Sequence, residues 1–393
     1  MRTVLTSARL LTPDHIIDRP VVVLEDGIIT SIAPRSSAAL PAGRHVDLPE
    51  ATLIPALFDV HIHGCGGHDV MEATESALSH IGAFLAGRGV GAYCATTVTA
   101  PLEALLRSLN GLAKLLDQPL DGARPVGIHL EGPFLAPHKR GAHAESQLLA
   151  PSVALFDRFW QASEGNIRLM TIAPELPGAD ETIAHAARLG VRVSLGHSDA
   201  ATEAARRGVA AGAVTATHTF NAMRRFDHRE PGLLAEVLTN DRLFAEIICD
   251  GLHVDPAAVR LFWKAKGPDR ALLVTDAMAG TGMPDGTYWL GELEVRVKNG
   301  RCIIGEDTLA GSTLTLDRAI RNFVEFTGAS LSDTIGLATR NPARMTGLDA
   351  EIGQLAPGRS ANIAVLSPNN EVIESFLNGE HQLTPSTRGY LNG

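Results

Sequence analysis

Histidines and carboxylates recur in this chain at the points where apolar, strand-like runs end. His61 and His63 lie two residues apart at the end of one such run, so in a strand their side chains share one face and can bind the same ion. Glu131, His197 and His218 each close a further run. Neutral imidazole and carboxylate suit a borderline divalent ion such as zinc or ferrous iron. The pattern predicts a metal centre built from these five residues.

Two carboxylates have different expected roles in this centre. Glu131 is the predicted bridge, because one carboxylate can bind two ions at once. His197 and His218 would complete a second metal position, with room for a water whose pKa is lowered towards neutrality. Asp276, which closes the run 272–275, would take that water's proton as general base and return it to the leaving amine as general acid. The predicted chemistry is metal-dependent hydrolysis.

The positions of the other histidines in the sequence give weaker support for metal binding. His68 follows a glycine turn and His129 shares a strand face with Glu131, and for each the choice between ligand and support of a ligand stays open. Cys65 is expected to contribute to packing. The histidines with no such placement are expected to be structural or solvated, namely His15, His45, His80, His138, His185 and His381.

Eight apolar runs alternate with helical patterns through the middle of the chain. The runs lie near 53–60, 90–98, 125–130, 167–173, 191–196, 213–219, 244–249 and 271–275. Apolar periodicity predicts helices at 76–87, 102–116, 152–162, 181–189, 202–211 and 256–265. A (β/α)8 barrel needs eight such units, and its catalytic residues come from the C-terminal ends of different strands. The candidate ligands lie at those ends, so the sequence predicts an α/β fold with a TIM-like barrel.

Short β segments occupy both ends of the chain. Residues 21–24 and 28–32 flank the turn pair Asp26-Gly27, which is typical of a hairpin. Residues 361–366 and 372–377 also have strand character. Because neither end is long enough to form a domain, the two are expected to pair into one small β-sandwich. The predicted division is 1–54 and 347–393 for the sandwich and 55–346 for the barrel.

Composition limits the classes of partner. The 393 residues carry a formal charge of −10 with no cluster of lysine and arginine, which argues against nucleic acid and anionic membranes. The apolar runs are broken well short of the roughly 20 residues that a membrane span needs, and the N-terminus has no signal-peptide pattern. Four well-separated cysteines argue against a disulfide scaffold or a thiolate zinc site. These features predict a cytoplasmic protein.

Nine short motifs in chain order carry a resemblance to a known family. They are 58–64 (FDVHIHG), 129–134 (HLEGPF), 141–143 (GAH), 195–198 (LGHS), 217–223 (THTFNAM), 229–232 (REPG), 250–253 (DGLH), 274–277 (VTDA) and 309–312 (LAGS). Together they resemble the N-acetylglucosamine-6-phosphate deacetylases of the amidohydrolase superfamily over nearly the whole chain. Residues 353–362 (GQLAPGRSAN) are similar to the segment in which the wider superfamily returns to its β-sandwich.

The resemblance implies hydrolysis of N-acetyl-D-glucosamine 6-phosphate to D-glucosamine 6-phosphate and acetate, in amino-sugar catabolism or recycling. It implies that Glu131, His197 and His218 hold the metal that members share and that Asp276 is the acid/base. His143 would hydrogen-bond the substrate and help to stabilise the tetrahedral oxyanion.

The resemblance also implies a substrate site shared between two subunits of a homodimer. Backbone N–H groups of Asn221 and Ala222 would bind the phosphate, with charge from His253 and from Arg229 of the neighbouring subunit. The remaining implied substrate contacts are Ala142, Leu309, Ala310 and Gly311.

The number of metal ions, one or two per subunit, varies within the family. Some members lack both histidines of the first strand and use one metal, so the presence of His61 and His63 favours two, with Zn²⁺ or Fe²⁺ expected. The bridging carboxylated lysine of the wider superfamily is absent, because the matching strand ends in Glu131.

Several alternatives remain at the level of sequence. A deacetylase of N-acetylgalactosamine 6-phosphate is one alternative. Its substrate differs from the glucosamine derivative only in the orientation of one hydroxyl, and the sequence does not show which orientation the site accepts. A cyclic-amide hydrolase is disfavoured, since those enzymes usually carry the bridging lysine. A catalytically silent metal-binding or sugar-phosphate-sensing protein is disfavoured by the retention of Asp276 and His143 beside every candidate ligand.

Overall fold

The middle of the chain builds a curled parallel sheet in a mixed α/β fold. The computed structural model describes residues 2–382, so the end of the predicted second sandwich segment, 383–393, lies outside the described residues. Six parallel strands pair in chain order, namely Leu57–Ile62, Val90–Thr97, Arg124–Glu131, Ile167–Ile172, Arg192–Leu195 and Ala213–Ala216. A two-stranded parallel sheet follows, formed by Ala245–Ile248 and Ala271–Val274. Each of the eight predicted runs therefore overlaps a parallel strand.

Hydrogen bonds between backbones connect the two parallel sheets at both of their edges. On one side, the Ala216 N–H donates to the Phe244 carbonyl at 3.2 Å. On the other, the Asp276 N–H donates to the His61 carbonyl at 2.9 Å. The ends of the first and eighth strands, far apart in the sequence, consequently lie side by side. All residues of Leu57–Ile62 are buried, as expected for a parallel strand covered on both faces.

Helices cover the outside of the parallel sheets. The structure has Glu75–Ala86, Leu102–Leu116, Val153–Ala162, Ala179–Arg188, Thr202–Ala211, Gly232–Thr239, Pro256–Arg270, Leu316–Thr327, Leu331–Leu337 and Arg340–Thr346. The six predicted helices are confirmed, although the one from Pro256 continues past residue 265 across a kink at Gly267. In Leu102–Leu116, Leu105, Leu109 and Leu112 form one buried stripe at helical spacing. Within 2–382, no helix is both long enough and apolar enough to cross a membrane.

The two ends of the chain meet in one eight-stranded sheet. Its N-terminal strands are Arg2–Leu11, Ile16–Asp18, Pro20–Glu25, Ile28–Pro34 and Arg44–Pro55, and its C-terminal strands are Ile363–Leu366, Val372–Leu377 and Glu380–Gln382. The junction is antiparallel, with Ile363 opposite Pro55. Leu53, Ile363 and Phe376 belong to a separate apolar core beneath this sheet. Pairing between the chain ends is confirmed, whereas the sandwich arrangement and the domain boundaries stay predictions.

An antiparallel sheet that the sequence analysis did not predict follows the eighth parallel strand. Its strands are Gly286–Leu290, Leu293–Lys298, Arg301–Ile304 and Thr308–Leu309. Leu290 and Val295 pack with Val98 and Met278 in a small apolar cluster. Because Val98 directly follows the second parallel strand, this cluster fixes the added sheet over the strand ends where the candidate ligands lie.

Candidate metal and active site

Glu131, the last residue of the third parallel strand, is the centre of a cluster of imidazoles. Its Oε1 lies 3.2 Å from His197 Nε2, 3.4 Å from His218 Nε2 and 3.4 Å from His61 Nε2. Its Oε2 lies 3.2 Å from His63 Nε2. All five side chains are buried. The structure thus brings the five predicted ligands together, with Glu131 in the position of a bridge.

Asp276 faces the same cluster from the eighth strand. Its Oδ1 lies 3.2 Å from His63 Nε2 and 3.5 Å from His61 Nε2. Asp276 itself is 9% exposed, so it borders both the cluster and the space above it. The candidate acid/base is therefore within reach of a group held by His61 and His63.

The turn after each strand directs these side chains inward. His197, His218 and Asp276 each lie two residues past the end of a parallel strand and have positive φ, at 47°, 26° and 51°. Non-glycine residues rarely adopt this left-handed region, and each such residue costs about 1–3 kcal/mol. The surrounding fold maintains this strain at three members of one cluster, which is a common property of functional sites.

Hydrogen bonds at the far side of the rings prepare the near side for a metal. Nδ1–H of His197 donates to the Lys139 carbonyl at 2.8 Å, and Nδ1–H of His63 donates to the Thr96 carbonyl at 3.1 Å. When it is neutral, each ring then presents an unprotonated Nε2. His197 Nε2 lies only 3.0 Å from His218 Nε2, a contact that a shared cation would satisfy. The donor set fits a divalent metal.

The charges in the cluster stabilise a cation. Burial alone lowers the pKa of His63, but Asp276 and Glu131 outweigh burial and raise this pKa to about 9. Burial raises the pKa of Glu131, yet His61 and the other histidines hold it well below its usual range. Ionised carboxylates at the centre therefore favour positive charge at the position where the imidazole nitrogens converge.

A buried carboxylate that the sequence analysis missed holds two of the ligand residues. Glu246 lies in Ala245–Ile248, the seventh parallel strand, and is 0% exposed. Its Oε2 accepts Nδ1–H of His61 at 3.1 Å and the backbone N–H of His218 at 3.3 Å. A carboxylate on the far nitrogen of a ligating histidine fixes the tautomer and raises ligand basicity. The available signal was one acidic residue inside the apolar run 244–249.

The structure distinguishes the two histidines, His129 and His68, whose roles as ligand or as support of a ligand the sequence left open. His129 Nε2 lies 2.8 Å from Thr171 Oγ1, and the His129 ring packs edge-on against His61 at 4.7 Å between centroids. His129 thus supports a ligand. His68 lies 3.3 Å from Glu72, outside the cluster around Glu131.

His143 is fixed beside the cluster in a defined tautomer. The Thr99 N–H donates to His143 Nδ1 at 3.2 Å, so the proton of the neutral ring is on Nε2. Nε2 lies 3.5 Å from Glu131 Oε2. Burial is the main reason that the pKa of His143 falls to about 4, and the ring is therefore neutral at pH 7. His143 can supply one N–H donor next to the metal ligands.

A cavity of about 140 Å³ opens above the cluster. Of the predicted substrate residues, its wall includes Ala142, His143, Asn221, Ala222, His253, Leu309 and Gly311. Ala310 lies behind this wall and is 1% exposed. A larger pocket of about 760 Å³ lies beside the helix Leu102–Leu116. We assign the smaller one as the active site, because it alone of these two contains the candidate ligands and Asp276.

The predicted phosphate contacts have different surroundings. Burial lowers the pKa of His253, but the bond from its Nδ1–H to Asp250 Oδ2, at 2.7 Å, raises it above its ordinary value. The Asn221 N–H donates to the His218 carbonyl at 3.0 Å, so the chain already uses this donor. Arg229 lies on an exposed loop, where its N–H donates to Asp227 Oδ1 at 2.8 Å.

Comparison with known proteins places the chain in a family. Residues 52–381 match the Amidohydrolase family, and the chain belongs to it. It is 37% identical to the N-acetylgalactosamine-6-phosphate deacetylase of Escherichia coli O157:H7, over 97% of this chain and 99% of that protein. It is 36% identical to the N-acetylglucosamine-6-phosphate deacetylase of Vibrio furnissii, over 92% of this chain and 90% of that protein.

A solved structure with the same architecture is also similar in sequence. It is a mutant N-acetyl-D-glucosamine-6-phosphate deacetylase from Mycobacterium smegmatis in complex with N-acetyl-D-glucosamine-6-phosphate. The TM-score is 0.91 at 36% identity, covering 98% of this chain and 100% of that one. The similarity therefore includes both the terminal sheet and the parallel strands.

Replacing Glu246 with glutamine tests its effect on the ligand histidines. We expect Glu246→Gln to weaken metal binding by about 10- to 100-fold, because the side chain loses the charge that orients His61. Competition with a chelator of known affinity measures this change. Glu351→Gln, which alters an exposed carboxylate paired with Arg124, should bind metal like the wild type. Unchanged affinity in a folded Glu246→Gln protein would contradict this role.

Proposed function

We propose that this protein is a metal-dependent deacetylase that hydrolyses N-acetyl-D-glucosamine 6-phosphate to D-glucosamine 6-phosphate and acetate. One observation carries the proposal. Glu131 lies within contact distance of four imidazoles and lines the same cavity as Asp276 and His143. Relatives of the same family with this activity, matched over nearly their whole length, support it.

The barrel is part of this proposal. We infer that the six-stranded and two-stranded parallel sheets form one (β/α)8 barrel, with the terminal sheet as a small β-sandwich formed by 1–54 and 347–393. The hydrogen bonds at both edges of the parallel sheets support the barrel. The position of the ligands at the C-terminal ends of the strands is where such barrels carry their active sites.

Two divalent ions are proposed, with Glu131 as the shared ligand. His61 and His63 would bind one ion with Glu131, and His197 and His218 would bind the other. Zn²⁺ or Fe²⁺ suits these imidazole and carboxylate ligands. When bound, such ions supply Lewis-acid chemistry, which lowers the pKa of a water and polarises a carbonyl.

Asp276 is proposed to transfer the proton. Burial raises its pKa, but His61 and His63 hold the pKa well below its ordinary value, so the carboxylate is ionised at neutral pH. It can accept a proton from the attacking water and later give it to the nitrogen of the leaving amine. Its position at the border of the cavity matches both transfers.

His143 is proposed to stabilise the oxygen that becomes negative. Its Nε2–H is fixed by the Thr99 contact and lies on the cavity wall. A preorganised donor of this kind needs no reorientation as charge develops on the former carbonyl oxygen. A single such donor is worth about 3–4 kcal/mol of transition-state stabilisation in other enzymes.

The phosphate end of the site is proposed to extend across a homodimer. His253 and Ala222 line the cavity of this chain, while Arg229 lies on its exposed loop. We propose that Arg229 enters the cavity of a neighbouring subunit. We also propose that Asn221, beside Ala222, takes part in binding the phosphate. Ala142 and residues 309–311 would contact the sugar. A cytoplasmic location stays a prediction from the sequence.

N-acetylgalactosamine 6-phosphate is a second candidate substrate. The similarity to the Escherichia coli O157:H7 enzyme, named for this epimer, extends over 97% of this chain. A site that hydrogen-bonds the hydroxyl in question can reject the other epimer strongly, because the wrong epimer leaves a buried polar group unpaired. The assay must therefore include both sugars.

Acetate release is the direct test of this proposal. We expect rapid release from N-acetylglucosamine 6-phosphate, slower release from the galactosamine epimer, little from unphosphorylated N-acetylglucosamine, and none after chelation. An enzyme-coupled acetate assay measures all four conditions. Preference for the epimer would favour the second candidate. Release from none of them, with metal bound and the fold intact, would favour a sensor or another amide.

Metal analysis tests the two-ion arrangement. After loosely bound ions are removed, elemental analysis should find close to two equivalents per chain, because Glu131 presents one oxygen to His63 and the other to His197. A stable, fully active protein with one equivalent of metal per chain would show that a second ion is not required.

Asp276→Asn separates an enzyme from a sensor. The amide cannot accept the proton, so kcat should fall by about 10²- to 10⁴-fold, while metal content and fold are retained. Asp285→Asn, an exposed change in the same region, serves as the control. Activity close to that of the wild type would show that Asp276 does not transfer the proton.

A further inference from the structure

The turn that joins the first two antiparallel strands reaches the wall of the active-site cavity. Leu290, the last residue of Gly286–Leu290, lines this cavity and is 3% exposed. Val98 and Ala142 also line it and belong to the same apolar cluster as Leu290. A patch of three apolar side chains therefore borders a cavity whose floor is made of histidines and carboxylates.

Contacts on both sides hold this turn in place. The N–H of Gly291, the residue after Leu290, donates to the buried Asp69 Oδ2 at 2.9 Å. Gly291 has a φ of 56°, and a Cβ built on it would lie 2.5 Å from Val98 Cγ1. Only glycine allows so close an approach. The turn is thus pressed against Val98, and Leu290 cannot easily move away from the cavity.

Two members of the apolar patch are next in sequence to Thr99 and to His143, the residue that would contact the substrate carbonyl. Val98 precedes Thr99, whose backbone N–H fixes His143, and Ala142 precedes His143 itself. In an N-acylated sugar phosphate, the sugar and phosphate are polar, and the acyl chain is the apolar part. With the carbonyl oxygen at His143, the acyl chain would lie next to this patch.

We propose that Val98, Ala142 and Leu290 form an acyl pocket that admits an acetyl group and rejects longer acyl chains. This inference rests on the proposed deacetylase function and adds a limit to its substrate class. Each added methylene must displace a side chain that is packed on its other face. In a hydrophobic pocket, one methylene changes substrate discrimination by about 10- to 200-fold.

A series of acyl chains measures this limit. The substrates are N-acetyl-, N-propionyl- and N-butyryl-glucosamine 6-phosphate, and kcat/KM follows from the release of the free amine. The wild type should prefer acetyl to propionyl by at least about 10-fold. Leu290→Ala should raise the ratio of butyryl to acetyl kcat/KM by at least about 10-fold, because it opens the pocket.

Leu293→Ala is the matched control. Leu293 pairs with Leu290 across the same turn and packs against the same apolar cluster, but it is not among the residues of the cavity wall. Its acyl-chain preference should equal that of the wild type. Val98→Ala opens the pocket from the opposite side, so its ratio of butyryl to acetyl kcat/KM should rise as expected for Leu290→Ala. If Leu290→Ala does not fold, Val98→Ala carries the test.

The outcomes separate this inference from the proposed function. Equal kcat/KM of the wild type for acetyl and butyryl substrates would overturn the acyl pocket and leave the deacetylase intact. An unchanged ratio in active Leu290→Ala or Val98→Ala protein would do the same. No turnover of any acyl substrate by metal-loaded wild type would overturn both.

Discussion

The burial of Glu131 among imidazoles is the constraint on which the rest of the site depends. An ionised carboxylate removed from water costs several kcal/mol unless partners compensate it. Here the Nε2 atoms of four histidines lie 3.2–3.4 Å from a Glu131 oxygen, so protons or a bound cation held between these atoms would supply the compensation. Those histidines come from separate parts of the chain, so the compensation exists only when the parallel strands are aligned. The fold and the metal centre are therefore one energetic unit.

The atoms behind the ligands matter as much as the ligands. Glu246, the Lys139 carbonyl and the Thr96 carbonyl each accept the far N–H of one ring. Without these acceptors, an imidazole could present either nitrogen. The acceptors restrict it to one and thereby turn a group of polar residues into a prepared binding site. Left-handed backbone at His197 and His218 adds strain that a bound cation would offset, because ligands stabilise the state that binds them.

The sequence predicted the parallel strands and the residues that meet around Glu131 because both give local signals. An apolar run that ends in histidine or a carboxylate can be recognised without knowledge of its neighbours. Glu246 could not be assigned in this way, because its role depends on His61, which lies in another strand. The added antiparallel sheet was missed for a different reason. Its strands are short, and Gly286–Leu290 lacks an alternation of apolar and polar residues in its sequence, whereas Leu293–Lys298 has this alternation and carried a signal that could have been used.

The candidate metal centre and the apolar wall of the cavity belong to different parts of the fold, the parallel strands and the added antiparallel sheet. The candidate metal ligands and Asp276 lie on or just beyond the parallel strands, where a shift would disturb backbone pairing. Leu290 lies on a turn of the added sheet, which meets the cavity through apolar contacts and the bond from Gly291 to Asp69. If the proposed acyl pocket is correct, changes in that turn would alter the shape of the cavity and leave the candidate ligands in place. Substrate selectivity could then vary while the chemistry is kept.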